Sequence, residues 1–167
     1  MILLALFAGF INVQAAYISE TSAKRLFRQI EKYDSESGVT WGKKFFVPEL
    51  RNTDAFPYGG WSYAMYQRKS GEWAGGFDVH KIFKDKCSCR ILGSFQDKDS
   101  ISDGYNYMFV MVEKDDGWLI AEVYRLDEDV LEETMEIQKF DFTSDKGEFK
   151  KLSAIEAVVI QRYFEEW

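Results

Sequence analysis

The chain has 167 residues, 21 basic and 28 acidic side chains and a formal charge of −7. That length suits one domain with a core of its own, and 46% apolar against 29% charged residues excludes a disordered chain. The acidic balance excludes a general nucleic-acid binder, which needs a basic footprint.

The first fifteen residues, MILLALFAGFINVQA, are apolar, uncharged and too short for a stable bilayer span. Small residues at Val13 and Ala15 place a signal-peptide cleavage after Ala15. No Lys or Arg stands in the leading segment, which departs from the usual pattern. Residues 16–167 then form one globular domain, exported to the periplasm or the extracellular space, with no stable membrane anchor after cleavage.

Residues 19–35 predict a helix, with Leu26, Phe27, Ile30 and Tyr33 at helical spacing and Ser and Thr ahead of them as caps. Residues 39–47 read as a strand. Residues 48–60 hold both prolines and a Gly-Gly pair and read as a long loop. Residues 61–68 and 73–82 read as a hairpin turning at Ser70-Gly71, and 87–95 as the next strand.

The strongest local signal is residues 105–125, YNYMFVMVEKDDGWLIAEVYR. Asp-Gly between apolar runs marks a hairpin, because a type I′ turn needs positive φ at both central residues. With Asp116 and Gly117 in those places, Val112 faces Ala121 and Val110 faces Val123. One face is then aliphatic (Met108, Val110, Val112, Leu119, Ala121, Val123) and belongs to the core. The other carries Tyr107, Phe109, Met111, Trp118, Ile120, Glu122 and Tyr124. It is too apolar for free solvent, so a helix covers part of it or a partner or ligand does.

Residues 126–136 carry six acids and read as a short helix or a wide connection. Residues 135–142 and 148–151 read as strands about a turn at 144–147. Ser153 with Glu156 is a capping box opening a C-terminal helix, whose apolar face is Ile155, Val158, Val159, Tyr163 and Trp167. The fold class is therefore α+β: a curved antiparallel sheet of about seven to eight strands in hairpins, with an N-terminal and a C-terminal helix packed on it. A lipocalin-like closed barrel is the alternative, although its G-x-W signature is absent.

Few residues carry recognisable chemistry. His80 is the sole histidine, and strand spacing brings only Asp78 near it; no nucleophile motif lies close. Cys87 and Cys89 form C-x-C, at the upper edge of disulfide reach within a strand. An oxidised bridge, a thiol pair activated by Lys86 and Arg90, and a soft-metal site with His80, Met108 or Met111 are the competing readings. No calcium loop, phosphate loop or cofactor motif is present, so no metal and no cofactor is implied.

The leading functional reading is an exported, non-enzymatic binding protein that recognises or inhibits a basic protein partner. Its contacts would be Trp61, Tyr63, Trp73, Trp118, Glu122, Tyr124 and the acids Asp127, Glu128 and Asp129, since aromatic anchors with complementary charge make tight interfaces. The first alternative is a carrier of a small hydrophobic ligand, held by Phe109, Met111, Ile120 and Tyr124. The second is an enzyme using Asp78 and His80 or Glu122. Intact-mass measurement of protein purified from its own host checks the export reading: the expected species begins at Ala16, and an uncleaved chain refutes it. A further deficit of two hydrogens marks the Cys87–Cys89 bridge.

Overall fold

The computed structural model describes residues 18–37, 44–50, 77–85, 88–96, 102–115, 117–129, 134–143 and 148–166. The expected signal peptide, the 61–68 strand and most of the 48–60 loop lie outside them. Helix α1 spans Glu20–Ser37. Ser19 caps it: its Oγ accepts from the Ser22 amide at 3.2 Å, and its carbonyl accepts from the Ala23 amide at 2.8 Å. Lys24 pairs with Glu20 one turn back at 2.7 Å, a solvent-screened surface contact that adds little to stability. Ala23 and Phe27 are the buried side of the helix.

Where a strand is expected over 39–47, residues 44–45 lie in a 3-10 turn and Phe46 makes a single parallel bridge to Ile120. The Val47 amide donates to the Ile120 carbonyl at 3.0 Å, and a second 3-10 turn follows at Pro48–Leu50. The sheet is built from β1 (Phe77–Lys84), β2 (Ser88–Gln96), β3 (Ser102–Lys114), β4 (Gly117–Asp129), β5 (Thr134–Asp141) and β6 (Glu148–Lys151). Every neighbour pair is antiparallel, and the strand order equals the chain order. Helix α2 (Ala154–Glu165) closes the chain, and its Ser153–Glu156 capping box is formed as the sequence predicts.

Three expectations change. Among the described residues the sheet has six strands, not seven or eight. Among these residues it is open, with β1 and β6 at its two ends, and is neither closed into a barrel nor strongly curved. The acidic 126–136 segment is neither a helix nor a wide connection: β4 runs on to Asp129 and pairs it with Thr134, leaving only residues 130–133 to join β4 to β5.

The central hairpin forms, two residues out of the expected register. Lys114 pairs with Gly117, and Val112 with Leu119. Gly117 has φ 102°, so the positive φ falls on the residue that closes the turn. A shift of two keeps each side chain on its face. The register then changes again between Met111–Ile120 and Val110–Glu122, so Ala121 is an extra, unpaired residue. Such a bulge moves every following side chain to the opposite face. Val123 joins Phe109, while Glu122 and Tyr124 join Val110 and Met108.

Both faces are consequently core. On one, Phe27 from α1 packs on Phe77 and Phe109, with ring centroids at 4.2 and 4.8 Å, over Cys89, Ile91, Met111, Ile120 and Val123. On the other, Ile160, Tyr163 and Phe164 from α2 cover Leu92, Met108, Val110, Tyr124, Leu126 and Ile137. The face read as helix-covered only in part is the one in which Phe109, Met111 and Ile120 lose all contact with solvent.

Gly93 is the tightest point of this packing. A Cβ there would lie 2.1 Å from the Asp78 carbonyl oxygen and 2.5 Å from the Phe77 ring. Gly93→Ala is expected to destabilise the fold by about 1–3 kcal/mol or more, read as a lower urea midpoint; an unchanged midpoint would mean that β1 and β2 are not packed as described.

Candidate functional site

The α2 face of the sheet carries a polar group above β4 and β5. Tyr124 donates its hydroxyl to Glu122 Oε2 at 2.6 Å, and Lys139 Nζ donates to Glu122 Oε1 at 2.9 Å. Tyr124 and Lys139 are cross-strand partners, and the bulge at Ala121 turns Glu122 toward them. Burial pushes the Glu122 carboxyl up, but the hydrogen bonds from Tyr124 and Lys139 outweigh it and hold the group below its ordinary value. Burial, reinforced by the Glu122 carboxylate, pushes the Tyr124 phenol far up. At neutral pH the pair is thus a carboxylate and a neutral phenol.

This group borders a cleft of about 430 Å³ between β5, β6 and the start of α2, floored by Leu50, Phe140, Phe142 and Leu152. Its charges answer one another. Lys139 pairs with Glu122, and Lys150 with Asp141. A carboxylate stabilised by two donors is a weak base. What the arrangement does chemically is tie β4 to β5.

A second cleft, of about 470 Å³, opens between the first turns of α1, residues 44–45 and the beginning of β4. Ile18, Leu26, Phe45, Trp118 and Leu119 form its apolar wall, and Ser22, Gln29, Arg25 and Lys44 supply its polar atoms. Neither cleft is lined by Phe109, Met111 or Ile120, which fill the core. Of the four side chains expected to hold a ligand, Tyr124 lies on the other face from these three; Trp118, expected as a partner contact, lines the second cleft.

His80 finds a partner that sequence spacing misses. Its Nε2 lies 2.9 Å from Ser94 Oγ, because β1 bulges between Val79 and Lys81 and Asp78 pairs with Ser94. Ser94 and its β3 partner Asn106 are buried polar residues on the α2 face of the sheet. Neither Asp78 nor His80 lines either cleft, and Glu122 lies three strands away.

Cys89 is fully buried beneath α1, and burial pushes its thiol up. Arg90 does not activate it: on the opposite face it pairs with Asp85 and stacks over Tyr163, 4.5 Å from the ring centroid. Cys87 lies outside the described residues, and the bridge with it. Met108 and Met111 point to opposite faces. Trp61, Tyr63 and Trp73 also lie outside the described residues. Asp127 is half-buried near Gln138 Nε2 at 3.5 Å, and Glu128 and Asp129 extend β4 toward the hairpin end.

One feature of α2 runs against expectation. Its packed side is Ile160, Tyr163 and Phe164, while Ile155, Val158 and Val159 face solvent at 84, 69 and 53% exposure. Met135, on the face of Ile137 nearer the acidic hairpin end, is 66% exposed.

The Glu122 group gives a signed pH dependence. Unfolded, this carboxyl titrates near 4.5, and folding lowers that value. Its contribution is complete above the unfolded value and is lost as pH falls through the folded one. The stability advantage of the native protein over Lys139→Met is expected to shrink as pH is lowered from neutral to below the unfolded value near 4.5. Urea midpoints across that range check it; a constant difference would remove Lys139 as the cause. No protein-family model matches the chain, and no curated protein and no solved structure is significantly similar to it.

Proposed function

We propose that this protein is an exported, non-enzymatic binding protein that recognises a basic protein partner. The observation that carries the reading is the outward face of α2. Three aliphatic side chains at i, i+3 and i+4 make a continuous stripe, and leaving such residues in water forfeits roughly 1.5–3 kcal/mol of burial each. Helical spacing continues the stripe into Arg162 and Glu166, with Glu165 beside it. Met135 lies on the same side of the sheet as Ile137, the side that α2 covers, whereas Asp127 shares the α1 side with Arg125. On a protein of net charge −7, an apolar stripe that ends beside Glu165 and Glu166 is complementary to a partner surface whose apolar anchors are ringed by Lys or Arg.

The polar groups of the sheet support this reading in preference to catalysis. Glu122 is held low and paired, and Asp78 and His80 border neither cleft. Among the described residues no helix is long and apolar enough to cross a membrane, and the proposed leader is what would take the chain out of the cytoplasm. The aromatic contacts Trp61, Tyr63 and Trp73 remain part of the proposed surface on sequence grounds.

The test is affinity capture from an extract of the source organism, followed by calorimetry with the purified partner. A basic protein is expected, with binding that weakens as salt rises. Ile155→Lys with Val159→Lys is expected to weaken it by about thirtyfold, the effect of losing an interface anchor, with the circular dichroism of the fold unchanged because both side chains already face solvent. A partner that binds the double variant as well as the native protein would remove α2 from the interface.

A further inference from the structure

We infer that the cleft between α1 and the start of β4 is a binding site for a small amphiphile with an anionic head, a single-chain carboxylate being the simplest member of the class. The inference is independent of the α2 reading, since the cleft borders the other helix.

Three observations carry it. The first is shape: about 470 Å³ falls within the roughly 300–1,000 Å³ of small-ligand sites and is too small for a folded partner. The second is the wall. Trp118, Phe45 and Leu26 come from three separate segments, so the apolar surface is assembled by the tertiary fold and can embrace a chain from several sides. The third is charge. In a protein with seven more acids than bases, the charged side chains that line this cleft among the described residues are Arg25 and Lys44, both cations.

Each observation removes a class of ligand. A neutral hydrocarbon would leave the Arg25 guanidinium to lose water without gaining a partner. A cationic amphiphile would meet two like charges. A carboxylate satisfies both demands: its oxygens accept from the planar guanidinium in a two-pronged, charge-assisted contact, while its chain displaces water from the indole and phenyl surfaces. Ser22 and Gln29, one turn to either side of Arg25 on the cleft side of α1, add neutral donors for the same head.

The probes are decanoate, decyltrimethylammonium and 1-decanol, each below its aggregation limit, titrated into the full chain and followed by calorimetry. Resonances of the Arg25 amide and the Trp118 indole N–H, the latter assigned with Trp118→Phe, report where the probe sits. Decanoate is expected to bind and to shift both signals, and the other two to bind more weakly. Arg25→Glu with Lys44→Glu is expected to weaken decanoate by at least about tenfold, the value of a charge-assisted contact, and to leave decanol unchanged. Both are surface-facing substitutions, and Arg25→Gln with Lys44→Gln serves if the reversed charges perturb folding. Absence of decanoate binding, equal binding of all three probes, or binding that the variants do not weaken overturns the inference.

Discussion

The unpaired residue at Ala121 decides what this protein presents on each side of its sheet. Before it, β3 and β4 are in a register that continues the turn; after it, every β4 side chain is reversed. Without the bulge, with Ala121 paired to Val110 in the register before it, Val123 would face α2, and Glu122 and Tyr124 would be driven under α1 into the most apolar part of the molecule. Burying an unpaired carboxylate there would cost several kcal/mol. With it, Val123 fills the α1 core beside Phe109, and Glu122 emerges on the α2 side within reach of Tyr124 and Lys139. The same position lies where β5 stops: β5 reaches β4 only as far as Tyr124, and the exposed edge beyond it is met by Phe46 and Val47. Bulge, edge cover and ion pair are thus parts of one local solution.

A sheet with core on both faces has a consequence for its helices. Each has only one side to give, and the two give it differently. α1 sinks Ala23 and Phe27 into an aromatic layer, and its next side carries Ser22, Arg25 and Gln29 along a cleft. α2 commits Ile160, Tyr163 and Phe164, and with Arg90 stacked over Tyr163 and Lys81 donating to the Glu166 carbonyl, its C-terminal half is fastened to β1 and β2. Its aliphatic stripe is left outside. The two surfaces proposed for binding are therefore the unspent sides of the two helices. One is an aliphatic stripe; the other is a cleft whose charged lining is Arg25 and Lys44.

The polar residues inside the sheet have structural partners. Glu122 is answered by Tyr124 and Lys139, His80 by Ser94, and Arg90 by Asp85. These pairs join neighbouring strands or the turn between them. A sheet that buries both faces has few places for a charge, and those it keeps serve register as well as solubility. Arg125 illustrates the same economy on the α1 side, held between the Tyr105 and Phe149 rings at 4.7 and 4.3 Å while hydrogen-bonding Gln138.

By itself the sequence determined the elements that rest on short-range physics. The Ser153–Glu156 capping box, a Ser or Thr cap for α1, a hairpin turning near Asp116-Gly117 and the α+β class follow from contacts between residues a few positions apart, and these are written in the local pattern. What only the tertiary structure decided depends on residues distant in the chain. The Ala121 bulge has no local signature, because it is set by competition between two packed faces. Ser94 meets His80 only through strand pairing across a bulge. The choice of Ile160, Tyr163 and Phe164 over Ile155, Val158 and Val159 as the buried side of α2 is a rotation of roughly half a turn between two apolar stripes of similar strength. Periodicity shows that both stripes exist, and only the shape of the sheet beneath selects one.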